Sequence, residues 1–511
     1  MPEHDAARLD DLEEGKPHGV ELDGVKVVLV RDGDAVHALA GTCPHRGVPL
    51  KNGIVHEGSL VCPAHRARFA LATGALEAPP ACEALARYPV RVVDGAVLVT
   101  VESDTPQHPL PDFADRGEDA RSFVIVGSGA AGWRAAETLR REGFGGTITV
   151  VSDEDRGPLD RVELSKSYLK GEETPDTPVT RKAEDLDRVG VTWKRDHARA
   201  IDTEAAELVL ANSGERVRYD RLLVATGSDA RHLGVSGEGL TGIHSLRTLA
   251  DADALRADLD TCRARGTCRI AIVGGGFIGL EAATVLGKRE GVDVTVILNE
   301  DLPLARVFGN AVARRLLSEH EEAGVRFVRS AKVTGFTGDS RVAHVCLESG
   351  EKVDADLVLV SVGAAPRTSW LPFARDDDGG ITVDETLAVP GFGNVFLAGD
   401  IARLPTPWGK VRIEHWRFAQ ETGELAARNM LGQGRSYDST PFFWTMQQAK
   451  GSYAYTGHAT SWDTVDGAPD GKSFALRYVE DGKVHALLSL GFQDDVTLME
   501  RRMAGRGPVE A

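Results

Sequence analysis

Cysteine is sparse in this chain: six in 511 residues, scattered too widely for a disulfide framework, which fits a reducing compartment. Uninterrupted apolar runs long enough to span a bilayer are missing, so no membrane span is expected. The first residues, MPEHDAARLDDLEEG, are acidic and polar and have neither the apolar core of a secretory leader nor the basic character of a mitochondrial one. A basic excess is missing too. The 59 Lys and Arg are outnumbered by 77 Asp and Glu, and the net charge of −18 argues against a nucleic-acid or anionic-membrane partner. A cytoplasmic protein is expected. Low-complexity segments are absent, and the length is too great for one core, so three or four domains are expected.

What is present is organised around Phe123–Glu154. An apolar run of strand type, Phe123–Val126, leads into Gly127-Ser-Gly129-Ala-Ala-Gly132 and a helix-favouring stretch to about Arg141. A second strand, Thr147–Val151, ends at Asp153 and Glu154. Strand, glycine turn, helix, strand and acid follow at the spacing of a dinucleotide fold. Gly127 permits the tight turn, Gly129 lets the backbone approach a pyrophosphate, and Gly132 lets the helix lie close on the sheet. The helix N-terminus turns its free N–H groups toward the phosphates. Glu154 suits a ribose diol.

The same logic recurs about 147 residues later, at Arg269–Glu300, with Gly274, Gly276 and Gly279. Two such units mean two dinucleotides, one held tightly and one exchanging. Leu298 stands where the ribose-binding acid usually is, and Asn299 and Glu300, which follow at once, are the candidate substitutes. No Arg or Lys lies between Val292 and Pro303 to meet a 2′-phosphate, so NADH is favoured over NADPH. Tyr219–Thr226 and Asp356–Val362 read as further strands. Thr226 and Gly227 form a turn suited to the adenine side of a flavin site. Asp400, at the end of Asn394–Asp400, suits the ribityl or pyrophosphate part of FAD.

Before these units, short β-type runs such as Val25–Val30 and Val90–Val93 recur with Asp-Gly and Asn-Gly turns, the pattern of a small antiparallel β domain. It carries Cys43-Pro-His45 and Cys62-Pro-Ala-His65, with sixteen residues between the pairs. Two thiolates suit one iron and two imidazoles the other, the ligand set of a Rieske [2Fe–2S] centre. A Cys₂His₂ zinc site competes for the same four residues. Cys82 has no partner in the pattern and reads as a packed residue. Residues 103–120, rich in proline and acid, read as a linker.

The segments GTCPHRGVPL and CPAHRARFALATG resemble the two loops of oxygenase-type Rieske ferredoxins. High-potential Rieske proteins have a Ser and a Tyr where Ala67 and Phe69 stand, and an extra Cys in each loop that is missing here. The resemblance therefore implies a potential toward the low end of the range, roughly −150 mV. From 121 to about 500 the chain resembles the FAD-dependent pyridine nucleotide oxidoreductases, in the branch of oxygenase-type ferredoxin reductases and apoptosis-inducing-factor-like proteins. Its markers are DRVELSKSYL, GGGFIGLE, FLAGD, EHW and PFFWT. The resemblance implies that Arg161 and Lys166 belong to the flavin site, and that Lys166 and Glu281 interact near the flavin ring. Phe277 would shield the nicotinamide side, Glu414, His415 and Trp416 would border the isoalloxazine, and Trp444 would stack at the nicotinamide site. Leu159, Val162 and Glu163 depart from the usual Tyr and Pro-Pro.

The expected architecture is thus multidomain: an antiparallel β Rieske domain over 1–105, a linker over 106–120, and two Rossmann-like α/β domains. The FAD domain (121–240 and 355–432) is split by the NAD domain (241–354), and an α+β domain of the reductase dimerisation type covers 433–511, with a homodimer among the expectations. Disulfide reductases on this fold need paired thiols beside the flavin. After Glu154 there is no CxxC or Cys-x₄-Cys, and Cys262 and Cys268 are expected before the second unit's first strand. The reading is an NADH-dependent flavoprotein that splits electron pairs and passes single electrons through the cluster, by His45 and His65, to an unidentified one-electron acceptor protein such as a ferredoxin or oxygenase. Three alternatives stand beside it. The cluster is the entry point and NAD⁺ the final acceptor; the chain is an NADH oxidase or quinone reductase; or it is a slow redox-sensing interaction protein.

Overall fold

The computed structural model describes residues 3–102, 104–110, 113, 117–154, 158–181, 183–448 and 452–511. The chain divides into two compact units, residues 1–117 with 138–145, and 118–137 with 146–511.

The N-terminal part of the first unit is built on β-strands. His18–Leu22, Val25–Asp32, Ala35–Ala40 and Arg87–Tyr88 form one antiparallel sheet, and Glu3–Arg8, Ala96–Thr100 and Val90–Val93 a second. Ile54–His56, Ser59–Val61, Arg68–Ala70 and Leu76–Ala78 form a third. Val28, Leu29 and Val30, buried on both faces of their strand, join Leu39, Val97 and Val99 in one core, with Leu60 and Phe69 from the third sheet. The expected linker begins later than its composition suggests. Ala86 N–H bonds to Gln107 O and Ala84 N–H to Pro109 O, both at 2.9 Å, and His108 Nε2 lies 2.8 Å from Thr42 O. Residues 107–109 are therefore part of this unit. Residues 103, 111–112 and 114–116 of that stretch lie outside the described residues.

β1 (Ser122–Val126), α1 (Ala130–Arg141, whose residues 138–141 are grouped with the first unit) and β2 (Thr147–Ser152) follow the expected bounds closely. They are continued by β3 (Thr192–Arg195) and β4 (Arg221–Val224). The strands run parallel in the order β3-β2-β1-β4, so the winding reverses at β1, where an open α/β sheet leaves a crevice at its carboxyl ends.

The chain then builds a second sheet. After α2 (Leu249–Arg263) come β5 (Cys268–Val273), α3 (Phe277–Leu286), β6 (Val292–Ile297), α4 (Ala305–Glu322), β7 (Arg326–Val328) and β8 (Leu357–Val360). The order is Ile243–His244, β8, β5, β6, β7, all parallel. A boundary at 355 thus falls too early: β8 pairs with β5, and the chain leaves this sheet only afterwards. The cysteine expectation also changes. Cys268 is the first residue of β5, and it forms a disulfide with Cys262 near the end of α2. This clasp sits at the start of β5, at the opposite end of that strand from the second glycine turn. It removes the cysteine argument for a reducing compartment.

β9 (Phe392–Leu397) returns to the first sheet beside β4, and α5 (Trp416–Met430) follows. The chain ends in an antiparallel sheet containing β10 (Phe442–Met446), β11 (Ser452–Gly457), β12 (Phe474–Glu480) and β13 (Lys483–Leu490), with α6 (Gln493–Met503) packed on it through Val496, Met499 and Met503. Among the described residues no helix is long and apolar enough to cross a membrane.

Candidate functional site

The two glycine turns are built to one plan. Gly127 has φ +97, and a Cβ there would lie 2.3 Å from Ala225 O; Gly274 has φ +107, and a Cβ would lie 2.2 Å from Ser361 O. A Cβ on Gly132 would fall 1.9 Å from Gly127 O, and one on Gly279 2.2 Å from Gly274 O, so each helix is seated on its own turn. Between them Gly129 and Gly276 face open space, with nothing within 4 Å of the point where a Cβ would stand. That opening lets a phosphate approach the backbone.

The first turn opens into a cleft of about 440 Å³. Gly127, Gly129, Glu154, Arg161, Lys166, Thr226, Gly227, Asp400, Glu414, His415, Trp416 and Trp444 line it, with Gly276, Phe277 and Glu281 from the second sheet's segment. Gly132, Gly274, Gly279 and Glu300 do not: the first lies within α1 against its own turn, and the others belong to the second dinucleotide unit.

One end of the cleft gathers three arginines, each with a carboxylate partner: Glu154 for Arg161, Asp400 for Arg247 and Asp229 for Arg367. Arg161 pairs with Glu154 and donates to Arg247 O at 2.7 Å; Arg247 Nη2 lies 2.7 Å from Asp400 Oδ2; Arg367 also lines the cleft. Burial pushes the Arg161 guanidinium below its ordinary range; Glu154 opposes that shift, and Arg247 and Arg367 add to it. Three guanidiniums that repel one another beside a glycine turn fit the diphosphate of FAD. Arg247 and Arg367 were not evident from sequence, because each lies outside any local motif.

At the other end Lys166 Nζ donates to Glu281 Oε2 at 2.8 Å, across 115 residues. Ser165 Oγ donates to the same oxygen at 2.7 Å, and Thr445 Oγ1 and Met446 N–H donate to Oε1 at 2.8 and 3.2 Å. Glu281 is 4% exposed. With four donors its acceptor capacity is filled, so it suits fixing Lys166 in place rather than abstracting a proton. Thr445 has no signature in the sequence although it lies next to Trp444. Alternation along β10 is what turns it inward.

His415 stacks on Phe443 with ring centroids 4.3 Å apart, and Phe277 meets Phe443 edge-on at 5.2 Å. Desolvation holds the His415 imidazole down at about 4, with Asp400 opposing the shift. The unfolded chain takes up a proton below about 6.5 that the folded chain refuses until about 4. Stability is therefore full above 6.5 and lost as pH falls through that window, by up to about 3 kcal/mol. Melting temperature against pH for wild type and His415→Gln measures this. The variant's curve should be flatter between pH 6.5 and 4, and identical slopes would contradict the assignment.

At the second turn Leu298 is 3% exposed and packs in the sheet core, which leaves the ribose position to Glu300. The surroundings of Glu300 differ from expectation. Arg306, in the first turn of α4, pairs with it at 2.7 Å, and Arg329 lies 3.3 Å from Asp301. The cations missing from the local sequence are delivered by neighbouring elements.

In the first unit, Cys43 and His45 follow the strand Ala35–Ala40, and Cys62 and His65 occupy the turn between Ser59–Val61 and Arg68–Ala70. Both cysteines are 1% exposed. The Nδ1 atoms of His45 and His65 lie 2.9 Å apart, and the rings meet edge-on at 4.8 Å. A bond from Cys43 pulls the Cys62 thiol down to about 6 against the effect of burial, while Cys43 is pushed up. Thiol thus faces thiol and imidazole faces imidazole. Among the described residues no three His, Cys, Asp or Glu side chains converge on one ion-sized centre. Two separate pairs fit two irons better than one zinc.

Comparison with known proteins agrees. Residues 121–423 match the family model for pyridine nucleotide-disulphide oxidoreductases, and residues 3–89 that for the Rieske [2Fe-2S] domain. The chain is 31% identical over 519 residues to apoptosis-inducing factor 3 of Homo sapiens, covering 97% of this chain and 83% of that protein. It is 34% identical over 399 residues to the ferredoxin–NAD(+) reductase component of the biphenyl dioxygenase system of Paraburkholderia xenovorans, covering 76% of this chain and 95% of that one. The crystal structure of the covalent putidaredoxin reductase–putidaredoxin complex superposes with a TM-score of 0.71 at 28% identity, over 77% of this chain and 95% of the matched chain. The chain belongs to the pyridine nucleotide-disulphide oxidoreductase family and carries a Rieske [2Fe–2S] domain ahead of its FAD- and NAD-dependent part.

Proposed function

We propose that this chain takes electrons from NADH at its flavin cleft and delivers them singly, by way of its Rieske centre, to an acceptor protein of the ferredoxin or oxygenase kind. The observation that carries the reading is the presence, in one chain, of a dinucleotide cleft with no cysteine in its lining and a separate ligand set for a one-electron centre. FAD accepts two electrons together and releases them one at a time. The chain's own residues bind and orient. Arg161, Arg247 and Arg367 neutralise the diphosphate, Glu281 holds Lys166 at the ring end, and Phe277, Phe443 and His415 exclude water where a nicotinamide approaches. The acceptor class rests on relatives named as ferredoxin reductases of oxygenase systems. A homodimer and a cytoplasmic location belong to the same proposal; light scattering and cell fractionation test them. The function itself is tested by NADH-dependent reduction of cytochrome c, a one-electron acceptor. The rate should drop at least about tenfold in Cys62→Ser protein that keeps its FAD. An unchanged rate would place the cluster off the path.

NADH should exceed NADPH in kcat/KM by at least about tenfold, roughly 1.4 kcal/mol, because Glu300 repels a 2′-phosphate and occupies the nearby Arg306. Glu300→Ala frees that guanidinium and should narrow the ratio toward unity. A ratio that does not move would remove Glu300 from the nucleotide site.

A further inference from the structure

The two ligand loops of the Rieske unit close in the same way. The N–H of Gly47 donates to Cys43 O at 2.8 Å, four residues back, and the N–H of Arg66 donates to Cys62 O at 3.2 Å, also four residues back. Both turns end in the left-handed region, at φ +64 for Gly47 and φ +65 for Arg66. Glycine adopts that conformation freely, whereas a residue with a Cβ resists it. The second loop therefore keeps a long side chain where its own backbone favours none, the kind of outlier that points to function.

The placement of the charge is as unusual as the backbone. Arg66 is 1% exposed, as buried as the two cysteine ligands, and its Nε and Nη1 are closed to solvent. Ala67 and Phe69, which follow it, are fully buried and apolar. The guanidinium keeps its proton at any working pH and stays within one side-chain length of the backbone that adjoins His65. A buried charge is screened by salt much less than an exposed one.

We propose that Arg66 sets the reduction potential of the [2Fe–2S] centre. On reduction the centre gains one electron from the flavin side and becomes more negative by one charge. A fixed cation beside it stabilises the reduced form more than the oxidised form and raises the potential. It thereby offsets the hydrogen-bond donors that Ala67 and Phe69 do not supply.

The test is an EPR-monitored potentiometric titration of the full chain as wild type, Arg66→Gln, Arg66→Gly and Arg66→Lys. At a fixed potential Gln and Gly should shift the oxidised-to-reduced ratio three- to tenfold toward oxidised. That lowers the midpoint by about 30 to 60 mV at about 59 mV per tenfold for one electron. Lys, which keeps the charge, should stay nearer wild type than Gln does. In protein stripped of iron, Arg66→Gly should not lower the melting temperature, since it relieves the left-handed strain. A midpoint unchanged by Gln and Gly, or one moved equally by Lys and Gln, would overturn the proposal. So would loss of the cluster in all three variants, which would make Arg66 a structural part of the loop. A wild-type chain with no cluster would instead overturn the Rieske reading beneath it.

Discussion

Cys43→Ser and His65→Ala are each expected to abolish the iron–sulfur EPR signal and to take bound iron from about two per chain to none, while NADH still bleaches the flavin at close to the wild-type rate. Removing one ligand opens the site, and Ala67 and Phe69, which follow the second loop, have no metal-binding atoms to replace it. The flavin reaction should survive because all four ligands lie within residues 1–117, whereas every residue lining the flavin cleft lies in the other compact unit. Iron content, acid-labile sulfide and anaerobic stopped-flow reduction measured on the same preparations decide it. Loss of flavin reduction along with the cluster would show that the two units do not function independently.

Glu281→Ala should slow flavin reduction by NADH at least tenfold, about 1.4 kcal/mol in activation free energy, with FAD stoichiometry unchanged. Glu281 sits at the start of the second turn of α3 and is the common acceptor for Lys166, Ser165, Thr445 and the Met446 N–H. Removing it leaves Lys166 buried with the carbonyl of Val162, at 3.1 Å, as its remaining acceptor in this group. Breaking a buried pair from one side costs about 3–5 kcal/mol, so some loss of thermal stability is expected as well. An uncompensated cation beside the ring favours the anionic reduced flavin and raises its potential. Lost orientation of Lys166 lowers the rate instead. Stopped-flow amplitudes report the first effect and rate constants the second. A variant that reduces at the wild-type rate would leave Glu281 a structural carboxylate.

The parts legible in the sequence are those whose geometry closes within one turn or loop. The strand–glycine–helix–strand runs and the two Cys–His pairs are of this kind, since a few consecutive residues determine their backbone path. The Lys166–Glu281 pair spans 115 residues and came into view only through family resemblance. The pairing of Arg247 with Asp400, 153 residues apart, did not come into view at all, because nothing local requires an arginine there. The cation that meets Glu300 lies beyond Pro303, where the first turn of α4 folds back and brings Arg306 to it. The strand Leu357–Val360 looked like a return to the flavin domain because its apolar run has no partner written into it; only pairing with Cys268–Val273 assigns it. Residues 107–109 read as linker from their prolines, and it is backbone bonds to Ala84 and Ala86 that tie them down. Arg66 looked unremarkable in sequence. Its burial and left-handed backbone are properties of the folded loop alone.

The central claim, that electrons pass from NADH through the flavin cleft to the cluster, is tested most directly by anaerobic titration with NADH followed in parallel by visible absorbance and EPR. The expected result is about two irons and one FAD per chain, loss of the oxidised flavin absorbance, and a paramagnetic iron–sulfur signal that grows to about one spin per chain without any added mediator. Full flavin bleaching with a cluster that stays EPR-silent, or one zinc per chain with no labile sulfide, would contradict it.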